Sequence, residues 1–498
     1  MTTAPVADSM RRLSPRVVVG FLLLCELASG FAQGFYPPLL GEIAEHMRVS
    51  DADITWFLTV QTLGAAVCVP LLSRLGDVFG HRRILRIAVV AVIVGGLLTA
   101  FAPNYETMLI GRLLTAPEAA WLPLEIALIH NRIKGDTARS SIGLLVSFLT
   151  GGLILGTVAS GTIAGAMPSL TATLLVPVVF GLVAVYAAFF KVPESTERTR
   201  VRIDGIGFAG IGIAMIALLF GLHLASDAGF GAPSTLITLA VAAAIFVAWV
   251  AWERRSEYPA IDVRMVVSPK LGPAYLAAFL FGMVLFGTQT PITTFLAADP
   301  AEVGYGFAAA PGTVSAIMGL LMIMATVGAG AFAPLARRIG MRAVLVSGAA
   351  LAAGAWAFQI AMHDAMWHMY LFALVGGIGM GLLMGALPAL IAEAAPSDQT
   401  GIAAGIYNSL RTLGGAAAGA VFAVLLTTFT PVGDLASSLG GYVAIWTFSA
   451  AAFVVVAIAL GTMRMSADET VTDAHALGEA SADEAPEADE KEMEGAAR

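Results

Sequence analysis

Apolar residues gather along this chain in fourteen stretches of about 20 residues, separated by short polar or charged segments. A helix of that length crosses a hydrocarbon core of roughly 30 Å while satisfying its own backbone hydrogen bonds. The pattern predicts spans over 17–40, 54–74, 84–103, 106–129, 139–164, 168–190, 205–225, 232–252, 271–295, 312–335, 343–362, 366–391, 401–429 and 440–463. The first run is too long for a cleavable signal and lacks a polar cleavage region, so it is expected to remain a span. The fold class expected is therefore an all-α polytopic membrane protein with fourteen transmembrane helices.

The charges test this reading. With both termini on one side, 24 of the 27 Lys and Arg residues fall in segments on that side. Only Arg48 lies in an opposite loop, while Arg112 and Arg411 lie inside spans. The positive-inside rule makes the rich side cytoplasmic, and a wrong span parity would destroy the asymmetry. The cell membrane is the expected location.

Composition agrees, with 58% hydrophobic and 12% charged residues, about half the charge of a soluble domain. The net charge of −8 is confined to the end: residues 465–498 hold 11 acidic side chains against Lys491 and Arg498. The segment 466–498 is expected to be a disordered, acidic cytoplasmic tail. A partner-binding tail is the alternative. Cys25 and Cys68 both lie in apolar runs and form neither a disulfide framework nor a metal-ligand spacing. No nucleotide-binding loop or nucleophile-base pattern occurs, so neither an enzyme nor a self-contained ATP-driven pump is expected, and no cofactor. The expected partners are a small-molecule substrate, protons and the bilayer, with no nucleic acid and the chain a monomer.

Residues 71–85 read LLSRLGDVFGHRRIL and residues 331–345 read AFAPLARRIGMRAVL. At an offset of 260, Leu75, Gly80 and Arg82 match Leu335, Gly340 and Arg342. Each copy follows the second span of a set of six, and parallel repeats place a substrate site between the halves. The expected organisation is 6 + 2 + 6: one bundle over 1–195, an inserted two-helix hairpin with its linkers over 196–264, and a second bundle over 265–465.

These loops resemble the major facilitator superfamily, specifically its fourteen-span drug:proton antiporter group. The family's loop pattern G-x-L-A-D-R-x-G-R-R is matched by Leu75, Asp77, Gly80, Arg82 and Arg83, with Ser73, Val78 and His81 as departures. Residues 54–66, 253–264 and 401–419 resemble the group's second span, post-hairpin linker and thirteenth span, the last keeping Asn408, Arg411, Gly414, Gly415 and Gly419. The antiporter-type pattern of the fifth span survives as Gly152, Gly156, Ser160 and Gly161, with Thr157 where the family has Pro. In the first span Glu26, Gln33 and Pro37 approximate the group's polar residues at shifted spacing. The resemblance implies proton-driven export by alternating access.

An acidic residue near a helix centre costs roughly 2.5–3.5 kcal/mol to insert. It survives by facing a wet cavity, pairing with a cation or holding a proton. Glu26, Arg112 and Glu118 are accordingly the proton-coupling residues expected, with a satisfied structural role as the alternative for each. Glu118 follows Pro117, which should kink its helix. Glu125 lies seven residues on, near the same face, and is assigned to the substrate cavity or to a structural contact. Gln33, Gln61, Gln289, Asn408 and Arg411 are further cavity residues, with interhelical bonding as the alternative. Asp77, Gly80, Arg82 and Arg83 read as a gate built on helix-end electrostatics. The spacing by four of Gly152, Gly156 and Ser160 predicts a smooth helix face for close packing. Three function classes stand at this point: a proton-driven exporter of apolar or cationic compounds, a transporter of one endogenous metabolite or lipid, and a non-transporting receptor.

Overall fold

The computed structural model describes residues 15–130, 133, 136–193, 204–228, 231–256, 263–395, 400–431 and 433–463. The acidic tail and most of the two linkers around the hairpin lie outside the described residues. Every element described is helical. The chain begins with α1 (Pro15–Phe35), a 3-10 turn at Pro37–Leu39, α2 (Leu40–Met47), α3 (Asp51–Ile54), α4 (Trp56–Phe79) and α5 (His81–Ala100). It continues with α6 (Tyr105–Thr115), a 3-10 turn at Ala116–Ala120, α7 (Trp121–His130), α8 (Asp136–Ala166) and α9 (Leu170–Tyr186), which ends in a π turn at Ala187–Lys191. The hairpin is α10 (Gly205–Ala228) and α11 (Pro233–Glu253), followed by α12 (Val263–Val266). The rest is α13 (Gly272–Gly287), α14 (Gln289–Ala297), α15 (Pro300–Val303), α16 (Pro311–Ile339), α17 (Met341–Ala361), α18 (Met366–Ala394), α19 (Thr400–Thr428) and α20 (Leu439–Thr462).

Twelve of these helical stretches are long and apolar enough to cross a membrane, where fourteen were expected. One shortfall is 105–130, which Pro117 breaks into two pieces and which carries Arg112, Glu118 and Glu125. The other is α10, whose apolar run among the described residues is Gly205–Leu218. Both stretches are helical nonetheless.

The 260-residue repeat is visible in the backbone. Gly80 (φ 103°) separates α4 from α5, and Gly340 (φ 84°) separates α16 from α17. Each glycine donates its N–H to the carbonyl four residues back at 2.9 Å, and its own carbonyl accepts from the residue four ahead at 3.2 Å. Only glycine takes this positive φ without strain. The sequence match at these positions therefore reflects one tight helix-to-helix corner used twice.

α1 and α4 to α9 pack on one another, as do α13, α14 and α16 to α19, with α20 joined to that second set through Phe422–Phe448 and Phe295–Trp446 ring contacts. The two sets meet where α8 touches α16 and α4 touches α19, and α10 touches both α4 and α19. Close approach is achieved by removing side chains. A Cβ on Gly152 or Gly156 would overlap the backbone of Leu27 or Phe31 in α1, and one on Gly161 would overlap Pro311 in α16. The predicted smooth face of α8 thus serves two partners, one in each set.

Candidate functional site

The two sets enclose a cavity of about 1150 Å³. It runs from Gln33 and Pro37 on α1 and its following turn, past Gln61 on α4, to Ser73, Arg74 and Asp77 near the C-terminal end of α4. Arg74 is exposed and the Asp77 side chain is 35% exposed, so the cavity opens at that end. Phe286, Met318 and Met322 supply apolar lining from the second set, and Asp204 and Phe208 bring the start of α10 to the mouth. Asp204 is held there by Gly207 N, Trp252 Nε1 and Ser256 Oγ.

The opposite end is closed by contacts between the sets. Asp51 Oδ2 accepts from the Tyr442 hydroxyl at 2.8 Å and from Ser437 N at 3.0 Å, and the Tyr442 hydroxyl lies 3.0 Å from Thr294 Oγ1. Thr293 Oγ1 donates to the Pro37 carbonyl at 3.0 Å. Ser160 Oγ and Ser315 Oγ are 2.9 Å apart, and Gly161 N donates to Ser315 Oγ at 2.9 Å. Tyr305, in the loop before α16, bonds the Ser437 carbonyl and stacks on Phe295. Burial, and then the nearby Asp51, push the Tyr305 hydroxyl up from its ordinary range, so it stays a donor. Of these closing residues only Pro37, Ser160 and Gly161 stand out in the sequence. Ser50, Asp51 and Asp53 carry a helix-cap pattern, with Ser50 Oγ accepting from Asp53 N, and that local role hid the long-range one.

Within the cavity the expected coupling residues divide. Glu118 lies in the 3-10 turn and is 4% exposed. Its Oε2 accepts from Gln61 Nε2 at 3.4 Å, while Oε1 has no partner among the described residues. Gln61 Oε1 in turn accepts from Arg112 Nη2. Arg112 is itself outside the cavity lining: its guanidinium is held 4.3 Å from the Tyr36 ring centre and 4.6 Å from that of Phe57, with a 3.5 Å bond to the Phe57 carbonyl. The order Glu118, Gln61, Arg112 is a relay from cavity wall to buried cation.

Glu26 also lines the cavity and is fully buried. Glu125 is fully buried beside Glu26 and Cys25, behind the wall, and the expectation that it lines the cavity is corrected. Its α7 neighbours Leu122, Pro123 and Ile126 line the cavity in its place. The Glu26 and Glu125 carboxyls are neighbours, and among the described residues none of their oxygens has a hydrogen-bond partner. Neighbouring carboxyls repel one another when both are ionised.

Gln33, Gln289, Asn408 and Arg411 line this cavity. Gln33 donates to Ser29 Oγ at 2.9 Å, Gln289 to the Leu285 carbonyl at 3.2 Å and Asn408 to the Ala404 carbonyl at 3.3 Å. Of the expected gate, Asp77 bonds His81 Nε2 at 3.1 Å, a contact within its own set. Arg82 and Arg86 both donate to the Phe189 carbonyl, at 2.8 and 2.6 Å. They cap the C-terminal end of α9, where a cation meets the negative end of the helix dipole. Arg83 is exposed. Among the described residues no cluster of His, Cys, Asp or Glu has the arrangement of a metal site.

The chain is 26% identical over 397 residues to the uncharacterized MFS-type transporter EfpA of Mycobacterium tuberculosis, covering 78% of this chain and 73% of that one. It is 24% identical over 380 residues to a triacylglyceride transporter of Mycobacteroides abscessus, covering 72% of each. A solved auto-inhibited POT family peptide transporter superposes with a TM-score of 0.65 at 16% identity, covering 91% of this chain and 98% of that one, a likeness of fold. The profile of the Major Facilitator Superfamily matches residues 22–419. With its cavity between two packed sets of helices, the chain belongs to that superfamily and is a multi-pass membrane transporter.

Proposed function

We propose that the chain is a proton-coupled exporter of small apolar or cationic compounds, working by alternating access as a fourteen-span drug:proton antiporter. On this reading 105–130 and α10 also cross the membrane, giving two six-helix bundles around the hairpin, and the Asp77 end faces the cytoplasm. The observation that carries it is the placing of Glu26 and Glu118 on one wall of a cavity with largely apolar surroundings. A carboxyl inside a membrane protein is costly unless it has work to do. One that takes a proton from one side and gives it up to the other provides coupling. The Gln61–Arg112 arm supplies a partner for Glu118 when it ionises, because a nearby cation favours the charged form. Rocking of the two bundles would carry the site from one side to the other. Asp77, Gly80, Arg82 and Arg83 then brace the cytoplasmic corner of the first bundle during that movement.

The test is ethidium efflux from proteoliposomes under an imposed pH gradient. Glu118→Gln and Glu26→Gln should each lower gradient-driven efflux by about 100-fold, a loss of roughly 2.7 kcal/mol in coupling, while exchange without a gradient persists. Wild-type rates in both variants would remove the assignment. The triacylglyceride relative favours a second reading, export of an endogenous lipid by the same cycle. Saturable transport of one lipid, with no dye efflux, would select it.

A further inference from the structure

Arg112 and Arg411 both lie at the level of the cavity, and their surroundings differ. Arg112 is closed off from the cavity, clasped by two rings and bonded to Gln61 and to a backbone carbonyl. Arg411, on α19, faces the cavity. Its guanidinium lies further from its rings, 5.6 Å from Tyr407 and 5.8 Å from Phe286. Its Nε is buried with no acceptor among the described residues, and the neighbouring Tyr407 hydroxyl is likewise buried without one.

No described carboxylate pairs with Arg411. Glu118 interacts with Arg112 and Glu26, and Glu26 with Glu125. A guanidinium is a permanent cation with a planar fork of donors suited to a carboxylate or phosphate. In a low-dielectric cavity such a group gains most from an anion and repels a cation. Phe286, Met318 and Met322 line the same side of the cavity, all from the second set, and offer an adaptable apolar surface.

We propose that Arg411 forms a headgroup site for an anionic amphiphile, whose apolar chain lies against Phe286, Met318 and Met322. This rests on the reading of the cavity as the substrate site, and it adds anionic amphiphiles to the apolar and cationic compounds proposed above. The headgroup site is on the second set and the carboxyls Glu26 and Glu118 are on the first. Headgroup and proton therefore occupy separate walls, and their exchange is enforced by the movement of the walls rather than by competition at one residue.

The experiment is equilibrium binding of tritiated dodecanoate to the full chain in nanodiscs, with empty nanodiscs subtracted. Unlabelled dodecanoate, dodecyl phosphate, dodecanol and dodecyltrimethylammonium serve as competitors. Dodecanoate or dodecyl phosphate should compete at least tenfold better than dodecanol, and the stronger of the two identifies the headgroup as carboxylate or phosphate. Arg411→Gln should reduce binding to the dodecanol level, with Arg411→Lys intermediate. Equal competition by dodecyltrimethylammonium, or unchanged binding in a folded Arg411→Gln, would overturn the proposal. The wild-type competition order decides the matter even if the variants do not fold. No gradient is applied, so failure of proton coupling in the efflux assay leaves this result independent.

Discussion

The two ends of the molecule are built from the same repeated helices but held in different ways. At the Asp51 end the bonds cross between the sets: Asp51 to Tyr442 and Ser437, Thr293 to Pro37, Ser160 to Ser315. At the Asp77 end the polar contacts seen among the described residues lie within the first set, Asp77 to His81 and Arg82 and Arg86 to the end of α9. The first arrangement closes a cavity and the second leaves it open. A gate is therefore defined by which bonds span the two sets, and a run of charged residues at a helix end does not by itself identify one.

The largest disturbance of this contrast should come from Gly161→Leu. A Cβ there already meets the Pro311 backbone, so α8 and α16 must separate. Overpacking of this kind costs about 1–3 kcal/mol. Electron–electron resonance between spin labels at Glu106 and Asp434, with Cys25 and Cys68 replaced by Ala, should show the Asp51 end widened by several ångströms, on the order of one side-chain layer. An unchanged distance distribution would mean that this contact does not hold the end shut.

Asp51→Asn and Tyr442→Phe come next. Hydrogen bonds to a charged group contribute about 1.5–3 kcal/mol, so each variant should shift the closed-to-open ratio by roughly 10–100-fold. The double variant should fall short of the sum of the two, since both act on one bond, Tyr442→Phe by removing its donor and Asp51→Asn by replacing its carboxyl acceptor with an amide. Additive effects in the same distance measurement would show that the Asp51–Tyr442 bond is not the shared element.

The smallest effect should come from Asp77→Asn. Its bond to His81 is partly exposed and lies within one set, and exposed pairs contribute about 0–1 kcal/mol. Labels at Arg83 and Arg338 should report the Asp77 end as open as in the wild type. A large closure there would show that Asp77 already acts across the sets in this state.

Much of this was legible before any coordinates. The apolar runs mark the helices because lipid leaves the backbone no other partner, and the Gly80 and Gly340 match marks a shared corner because only glycine makes it. Pro117 predicted the break at Ala116–Ala120, and the polar residues Gln33, Gln61, Gln289, Asn408 and Arg411 were rare enough in their spans to mark a cavity. Periodicity put Glu125 near the face of Glu118, yet that residue lies outside the cavity lining that Leu122, Pro123 and Ile126 supply. It was silent on Asp51 and Tyr442, which are 391 positions apart and unremarkable at either place.

Lipid imposes its demand on each segment separately, so the apolar helices and the positions of costly polar residues can be read along the chain. Which of those residues meet is a question of three-dimensional packing. Tertiary structure alone put Arg112 behind Gln61, turned Arg411 to the cavity, set Glu26 beside Glu125 and drew Asp51 to Tyr442. Each of these depends on the approach of distant helices, and that approach is governed by glycine faces and helix breaks acting together.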